Sequence, residues 1–173
     1  SQRLKFLIED LFEVSKATSG NIKLNLVKVD IVELMRQTQI ELQDKLKNSK
    51  LVVRNDYLEN KVILNLDSQK TYRVFENLLN NVAKYAMENS RVYVNIVDNI
   101  DAVEITIKNM SANEINFTSD EIVERFQRGD KSRNTEGSGL GLAIAKSFVE
   151  AQGGRFNIEI DGDLFKVIIV FNK

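Results

Sequence analysis

Glu136-Gly137-Ser138-Gly139-Leu140-Gly141-Leu142-Ala143-Ile144-Ala145-Lys146 sets glycine at alternate positions and then runs at once into a strongly helical sequence. Glycine lacks Cβ, so such a loop reaches left-handed angles and lets a ligand approach the backbone closely. A helix that begins there points unpaired N–H groups and the positive end of its dipole outward, an arrangement suited to phosphate. Two familiar phosphate loops do not fit. A Walker A loop ends in Gly-Lys-Ser/Thr, whereas Gly141 is followed by Leu142. A Rossmann turn follows a strand directly, and residues 131–136 are all polar, charged or hydroxyl-bearing. A glycine cluster alone is equally compatible with a flexible loop before a helix, so the kind of site depends on the rest of the chain.

Working outward, the bounds are those of an ordinary globular chain: 173 residues, 43% hydrophobic, enough for a buried core with an appendage. A net charge of −1 argues against a general nucleic-acid binder. No apolar run approaches membrane-spanning length, and the opening residues resemble no targeting segment. Cysteine is absent, which excludes disulfides and thiolate metal sites, and histidine is absent, which excludes His triads, His-ligated zinc and phosphohistidine within this chain.

Leu4, Leu7, Ile8, Leu11 and Val14 recur at helical spacing, predicting one amphipathic helix that stops near Ser19-Gly20. So short a helix is marginal alone, and its stripe needs either the following domain or a second copy of itself. No start signal precedes Leu4, so the chain is expected to begin inside a longer helical hairpin. Alternation predicts a strand over 22–29, and Asp30 caps a helix to about Lys47. Strands follow at 51–53 and 61–66, with Asp67-Ser68 capping a further helix over 69–88. Residues 91–97 and 102–107 form a hairpin around Asn99. The segment 109–136 has few apolar residues and a helical signal only over 119–126, and its low apolar content between two ordered elements makes 113–136 an expected lid. The helix after the glycines ends at Gly153-Gly154, and a last hairpin over 155–160 and 165–171 turns at Asp161-Gly162-Asp163. Helices interleaved with tight hairpins predict an α+β fold: a two-layer α/β sandwich whose mixed sheet is covered by helices on one face, preceded by one amphipathic helix. The domain boundary is placed at residue 20, giving 1–20 and 21–173.

The helix over 69–88 has unusual residues for a helix. At a hundred degrees per residue, Arg73, Asn77, Asn81, Lys84 and Glu88 form one stripe with Asn80 at its edge, opposite Phe75, Leu78, Leu79, Val82 and Ala86. Each mid-helix asparagine costs roughly 0.7 kcal/mol relative to alanine, so a purely solvated face would be built better from lysine or glutamate. An asparagine oxygen can ligate Mg²⁺ without adding negative charge beside phosphates, and Lys84 can reach a phosphate as a point charge. A third cluster, Arg125-Phe126-Gln127-Arg128-Gly129-Asp130-Lys131-Ser132-Arg133, brings cations just ahead of the glycines, where an arginine can stabilise a transferring phosphoryl group.

Together the three stretches resemble the catalytic ATP-binding domain of bacterial sensor histidine kinases, in the superfamily that includes gyrase, Hsp90 and MutL. Arg73-Val74-Phe75-Glu76-Asn77-Leu78-Leu79-Asn80-Asn81-Val82-Ala83-Lys84-Tyr85-Ala86 is similar to the N box. Phe126-Gln127-Arg128-Gly129-Asp130 is similar to the F box, and Gly137-Ser138-Gly139-Leu140-Gly141-Leu142 to the G2 box. The opening helix resembles the end of the second helix of the dimerisation and histidine-phosphotransfer hairpin. The resemblance implies a Bergerat-type sandwich binding ATP and Mg²⁺. Asn81 would ligate the metal, Lys84 would contact phosphate, and Tyr85 would line the nucleotide pocket. Arg128 would reach the terminal phosphate, and the stretch carrying Gly137, Gly139, Leu140, Gly141 and Leu142 would wrap the phosphates. Asn77 stands where hydrolytic relatives carry a glutamate base; an amide cannot take a proton from water, which suits transfer to a protein nucleophile. Implied partners are the protein's own hairpin with its phosphoacceptor histidine, a response regulator and a second copy in a homodimer. The implied location is the cytoplasmic side of a membrane-anchored sensor.

Two departures stand out. The family's G1 box is Asp-x-Gly-x-Gly, whose aspartate receives the adenine amino group; here the run is Asn109-Met110-Ser111-Ala112-Asn113, with Asn109 the expected acceptor. The phosphoacceptor histidine is missing, so this chain is the donor half. Alternatives are a nucleotide-binding regulatory module with weak or no kinase activity, a related serine kinase, and a hydrolytic ATPase. Asn77 counts against the last, and the hairpin-like opening helix against the serine kinase.

Overall fold

Val92, Val94 and Ile96 are buried along β4 (Arg91–Asp98), alternating with outward residues, and Val103, Ile105 and Ile107 repeat the pattern on β5 (Ala102–Met110). Period-two burial of this kind needs a partner on one face only. The computed structural model of the chain describes residues 2–57, 60–116, 118, 121 and 140–173. The expected lid over 113–136 and the helical signal over 119–126 lie mostly outside the described residues.

The main sheet has five strands in the order β2–β4–β5–β7–β6, with β2 (Val52–Asp56), β6 (Arg155–Asp161) and β7 (Leu164–Asn172). Only β2–β4 is parallel; the other pairs are antiparallel, so the sheet is mixed as predicted. The last hairpin turns at Gly162, whose φ of 60° suits glycine. A separate two-stranded ribbon joins β1 (Leu26–Asp30) and β3 (Ile63–Asp67).

Helices cover one face: α1 (Gln2–Thr18), α2 (Ile31–Glu41), α3 (Gln43–Asn48), α4 (Ser68–Tyr85) and α5 (Gly141–Ala151). Phe75, Leu78 and Leu79 of α4 and Ile144 and Phe148 of α5 meet Ile105, Ile169 and Phe171 of the sheet, all nearly or wholly buried. Fully burying such a side chain stabilises by about 1.5–3 kcal/mol, so this layer carries much of the fold.

Several boundaries move. The predicted helix over 30–47 breaks at Leu42, which leaves helical angles (φ −99°, ψ 8°). Beyond the break, Ser49 donates to the Ala83 carbonyl at 2.8 Å, docking α3 on α4. The strand expected over 22–29 begins only at Leu26. The helix expected to reach Glu88 ends at Tyr85, because Ala86 turns extended (ψ 147°) and bridges Ser111. Among the described side chains of the α1 stripe, Leu4, Ile8 and Leu11 are exposed and Val14 at its end is buried. Among the described residues no helix is long and apolar enough to cross a membrane.

Candidate functional site

Asp67 starts α4 by accepting from Lys70 N at 3.0 Å, and its other carboxylate oxygen accepts from Asn25 N at 2.9 Å. With that end fixed, the apolar side of α4 faces the sheet and the asparagine side faces α5. Two anchors set how the helices lie. At one end the Gln152 Oε1 accepts from Asp67 N at 2.8 Å, while its Nε2 donates to the Thr71 hydroxyl at 3.3 Å and to the Phe148 carbonyl at 3.1 Å. At the other end Gly141 packs on Asn77, where an added Cβ would come 3.3 Å from Asn77 Oδ1. Thr71 therefore opposes the end of α5 and Asn77 its beginning, so the two helices run antiparallel.

The junction at Asn77 is polar and incomplete. Asn77 Nδ2 is the buried side-chain atom left without a hydrogen-bond partner among the described residues. An orphaned amide of this kind costs about 1–3 kcal/mol unless something else satisfies it. Beside it α5 begins at Leu140, whose side chain makes no capping hydrogen bond, and the first-turn N–H groups have no acceptor within the helix. The first-turn amides and the positive end of the helix dipole thus lie at the Asn77 end of the stripe. Leu140 and Leu142 are buried at 4% and 1% exposure, so these two residues can offer a ligand their backbone rather than their side chains.

Asn81 lies one turn beyond Asn77 and is half-buried, while Lys84 is exposed with Nζ 5.8 Å from the centre of the Tyr85 ring. Three residues of the predicted stripe are engaged elsewhere. Arg73 binds Asp10 of α1 at 2.5 Å, Asn80 accepts from Lys45 of α3 at 3.0 Å, and Glu88, off the helix, pairs with Lys50 at 3.5 Å. Asn109 lies inside β5 rather than after it, opposite Phe165, and is only 3% exposed; its side chain makes no hydrogen bond among the described residues. The run that follows is pinned to the end of α4. Met87 N donates to the Met110 carbonyl at 2.8 Å, Ala112 N to the Tyr85 carbonyl at 2.8 Å, and Ser111 N to the Asp163 carbonyl at 2.7 Å. The two segments that carry Tyr85 and Asn109 are thereby tied together. Arg128, Gly137 and Gly139 lie outside the described residues.

Among the described residues no group of three His, Cys, Asp or Glu side chains could hold a metal. A cation here would take few protein ligands, the manner of Mg²⁺ carried in with phosphates. Sequence reasoning missed the Arg73–Asp10 and Lys45–Asn80 pairs and the pinning of residues 110–112. These join positions far apart in the chain, and no local pattern marks them.

The family described as "Histidine kinase-, DNA gyrase B-, and HSP90-like ATPase" matches residues 66–171. The probable sensor protein PcoS of Escherichia coli is 29% identical over 175 residues, covering 99% of this chain and 37% of PcoS. The chain thus spans well under half of that relative. The histidine kinase AdeS of Acinetobacter baumannii has a similar structure, with a TM-score of 0.75 at 19% identity over 95% of this chain and 76% of the AdeS chain. The histidine kinase ThkA, solved in complex with the response regulator protein TrrA, gives a TM-score of 0.73 at 17% identity over 99% of this chain and 48% of its own. At such identities the likeness of the solved structures is one of fold.

Proposed function

The chain belongs to the histidine kinase-, DNA gyrase B- and HSP90-like ATPase family, and on that premise we propose that it binds Mg-ATP and donates the γ-phosphate to a histidine of a two-component sensor kinase. Residues 1–20 are then the end of a dimerisation hairpin helix and residues 21–173 the ATP-binding domain. The observation that carries the reading is the convergence at Asn77. A buried amide nitrogen with no partner among the described residues meets the first turn of α5 where Gly141 leaves room, an arrangement that a bound phosphate chain would complete.

In this reading the Asn81 oxygen would hold Mg²⁺, and Lys84 would neutralise phosphate charge. Bound there, the cation would withdraw charge from the phosphate oxygens and favour departure of ADP. Tyr85 lines the base pocket and Asn109 accepts the adenine amino group. The backbone of Gly137, Gly139, Gly141 and their leucine neighbours wraps the phosphates, and Arg128 meets the terminal one. In the transfer, the bond from the γ-phosphorus to the bridging oxygen breaks, a bond to the histidine nitrogen forms, and ADP leaves. Asn77 cannot act as a base toward water, which favours transfer over hydrolysis. The chain contains no histidine, so the acceptor comes from elsewhere.

The further partners are the hairpin bearing that histidine, a second copy in a homodimer, and a response regulator that takes the phosphoryl group onward. The ThkA complex with its response regulator supports the last. The setting is the cytoplasmic side of a membrane-anchored sensor, and nucleic acid is not a partner. Kinship with sensor proteins favours the kinase over a regulatory module without transfer. Calorimetry with a non-hydrolysable Mg-ATP analogue, followed by phosphotransfer to a separately supplied histidine-bearing hairpin, tests the reading. Binding and transfer of label to that histidine are expected. Stable label on the chain itself would point to the serine-kinase class, and no binding would end the proposal.

A further inference from the structure

The face of the five-stranded sheet turned away from the helices carries an unusual charge arrangement at one corner. Register places Arg54 of β2 beside Tyr93 of β4, Tyr93 beside Lys108 of β5, and Lys108 beside Lys166 of β7. Arg91 precedes Tyr93 by two residues and shares its face. Arg54, Arg91, Tyr93 and Lys108, with Asp56 and Asn95, line an open concavity of about 460 Å³. Lys108 Nζ sits 5.4 Å from the centre of the Tyr93 ring.

Like charges opposite one another on neighbouring strands destabilise a sheet, and Lys108 faces Lys166 directly. Lys166 is relieved by Glu159 at 3.9 Å. Arg54, Arg91 and Lys108 form no ion pair among the described residues, although exposed acids are plentiful elsewhere on a chain of net charge −1. A cluster that repels itself in the free protein becomes favourable when an anion covers it.

We propose that this corner of the uncovered sheet face, centred on Tyr93, docks an acidic segment of a partner protein. From Arg54 to Lys166 the row crosses three strand intervals, roughly 14 Å, too long for one phosphate and suited to several carboxylates in series. The two arginines offer planar forks to carboxylates, and Tyr93, between Arg54 and Lys108 in the row, offers a flat apolar surface to a neighbouring side chain. Asp56 and Glu159 border the row, so a narrow acidic segment can lie along the cations between them while a broad anionic bilayer would meet both carboxylates, which favours a protein partner over a lipid surface. Lys108 is next to Asn109, whose side chain faces the opposite side of the same strand, so an occupant would rest directly behind the proposed base pocket.

The test uses the whole chain, isotope-labelled for backbone amide spectra, and a synthetic peptide of alternating glutamate and alanine. Salt-sensitive binding is expected, with shifts confined to residues around 54, 91, 93, 95 and 108. Arg54→Glu combined with Lys108→Glu should weaken the peptide by about tenfold or more, since like charges now meet across the contact, with circular dichroism unchanged. Arg54→Gln alone should weaken it less. The proposal fails if the peptide does not bind, if the double variant binds it as well as the parent, or if the shifts fall on 125–133 or on the asparagine stripe. It fails equally if phosphatidylserine vesicles bind this corner while the peptide does not. ATP-analogue binding is measured separately, so loss of the nucleotide reading leaves this result interpretable.

Discussion

Gly141 opens α5 and Gly154 follows its end, and the space each leaves is of a different kind. A Cβ on Gly154 would lie 2.9 Å from both Phe171 Cδ1 and Val149 Cγ1, side chains that are almost wholly buried. A Cβ on Gly141 would lie 3.3 Å from Asn77 Oδ1, beside an amide nitrogen without a partner among the described residues. Neither residue has a left-handed φ, so backbone angle explains neither glycine. One makes room for a close-packed core, which tolerates no extra methyl without a shift. The other brings a helix start against a polar side chain, a close approach that core packing does not call for. One end of α5 serves the fold, and the opposite end is the one we propose to serve a phosphate ligand.

The largest effect is expected at the packing end. Gly154→Ala must displace the Phe171 ring and Val149 together, and overpacking of this kind costs about 1–3 kcal/mol. Thermal unfolding should show a clearly lowered midpoint, while the protein still folded at room temperature should keep its nucleotide affinity. Loss of affinity with an unchanged midpoint would erase the contrast between the two glycines.

Gly141→Ala should do the reverse. Alanine at a helix start has the better propensity, so stability should hold or rise slightly. The methyl pushes on Asn77 Oδ1, and a side chain that shifts by a few tenths of an ångström no longer meets the phosphates squarely. Calorimetry should show about tenfold weaker binding, with ATP and inorganic triphosphate affected alike because the contact is on the phosphate side. A variant that binds both as well as the parent would make Gly141 another packing glycine.

Patterns local in the chain were the legible part. Asp67 as a helix cap, the Gly162 turn, the hairpin around Asn99 and the two faces of α4 all rest on residues within a few positions of each other. Boundaries set by distant partners were not legible. Apolar alternation in β5 stops at Ile107, yet the strand runs to Met110 because β7 continues beside it to Leu164. The α4 helix stops at Tyr85 because the run 110–112 takes up its end, a contact invisible from Ala86-Met87-Glu88 alone. The asparagine stripe was visible as a pattern, but which asparagine stays unpartnered depended on where α3 and α5 came to rest. Lys45 reached Asn80, and nothing described reached the Asn77 amide nitrogen.

The smallest effect, and the sharpest use of the contrast, concerns Asn109. It is buried on β5 beside a backbone network that ties its strand to Tyr85, just over two helical turns along α4 from Asn77. A carboxylate at this place would accept from the adenine amino group with charge assistance; an amide oxygen accepts as a neutral group, while its NH₂ needs an acceptor of its own. Asn109→Leu removes one neutral hydrogen bond, so ATP binding should weaken by on the order of 1 kcal/mol, or about fivefold. Inorganic triphosphate, which has no base, should bind as before, and Asn109→Asp should tighten ATP or leave it little changed. Stability should not fall with leucine, because an amide with no hydrogen bond among the described residues is exchanged for an apolar side chain in a buried strand. Gly141→Ala and Asn109→Leu then separate the two halves of the ligand, one weakening both compounds and the other only ATP. Equal weakening of ATP and triphosphate by leucine would mean that Asn109 acts through the strand and not on the base, and unchanged ATP affinity would mean that adenine is read elsewhere.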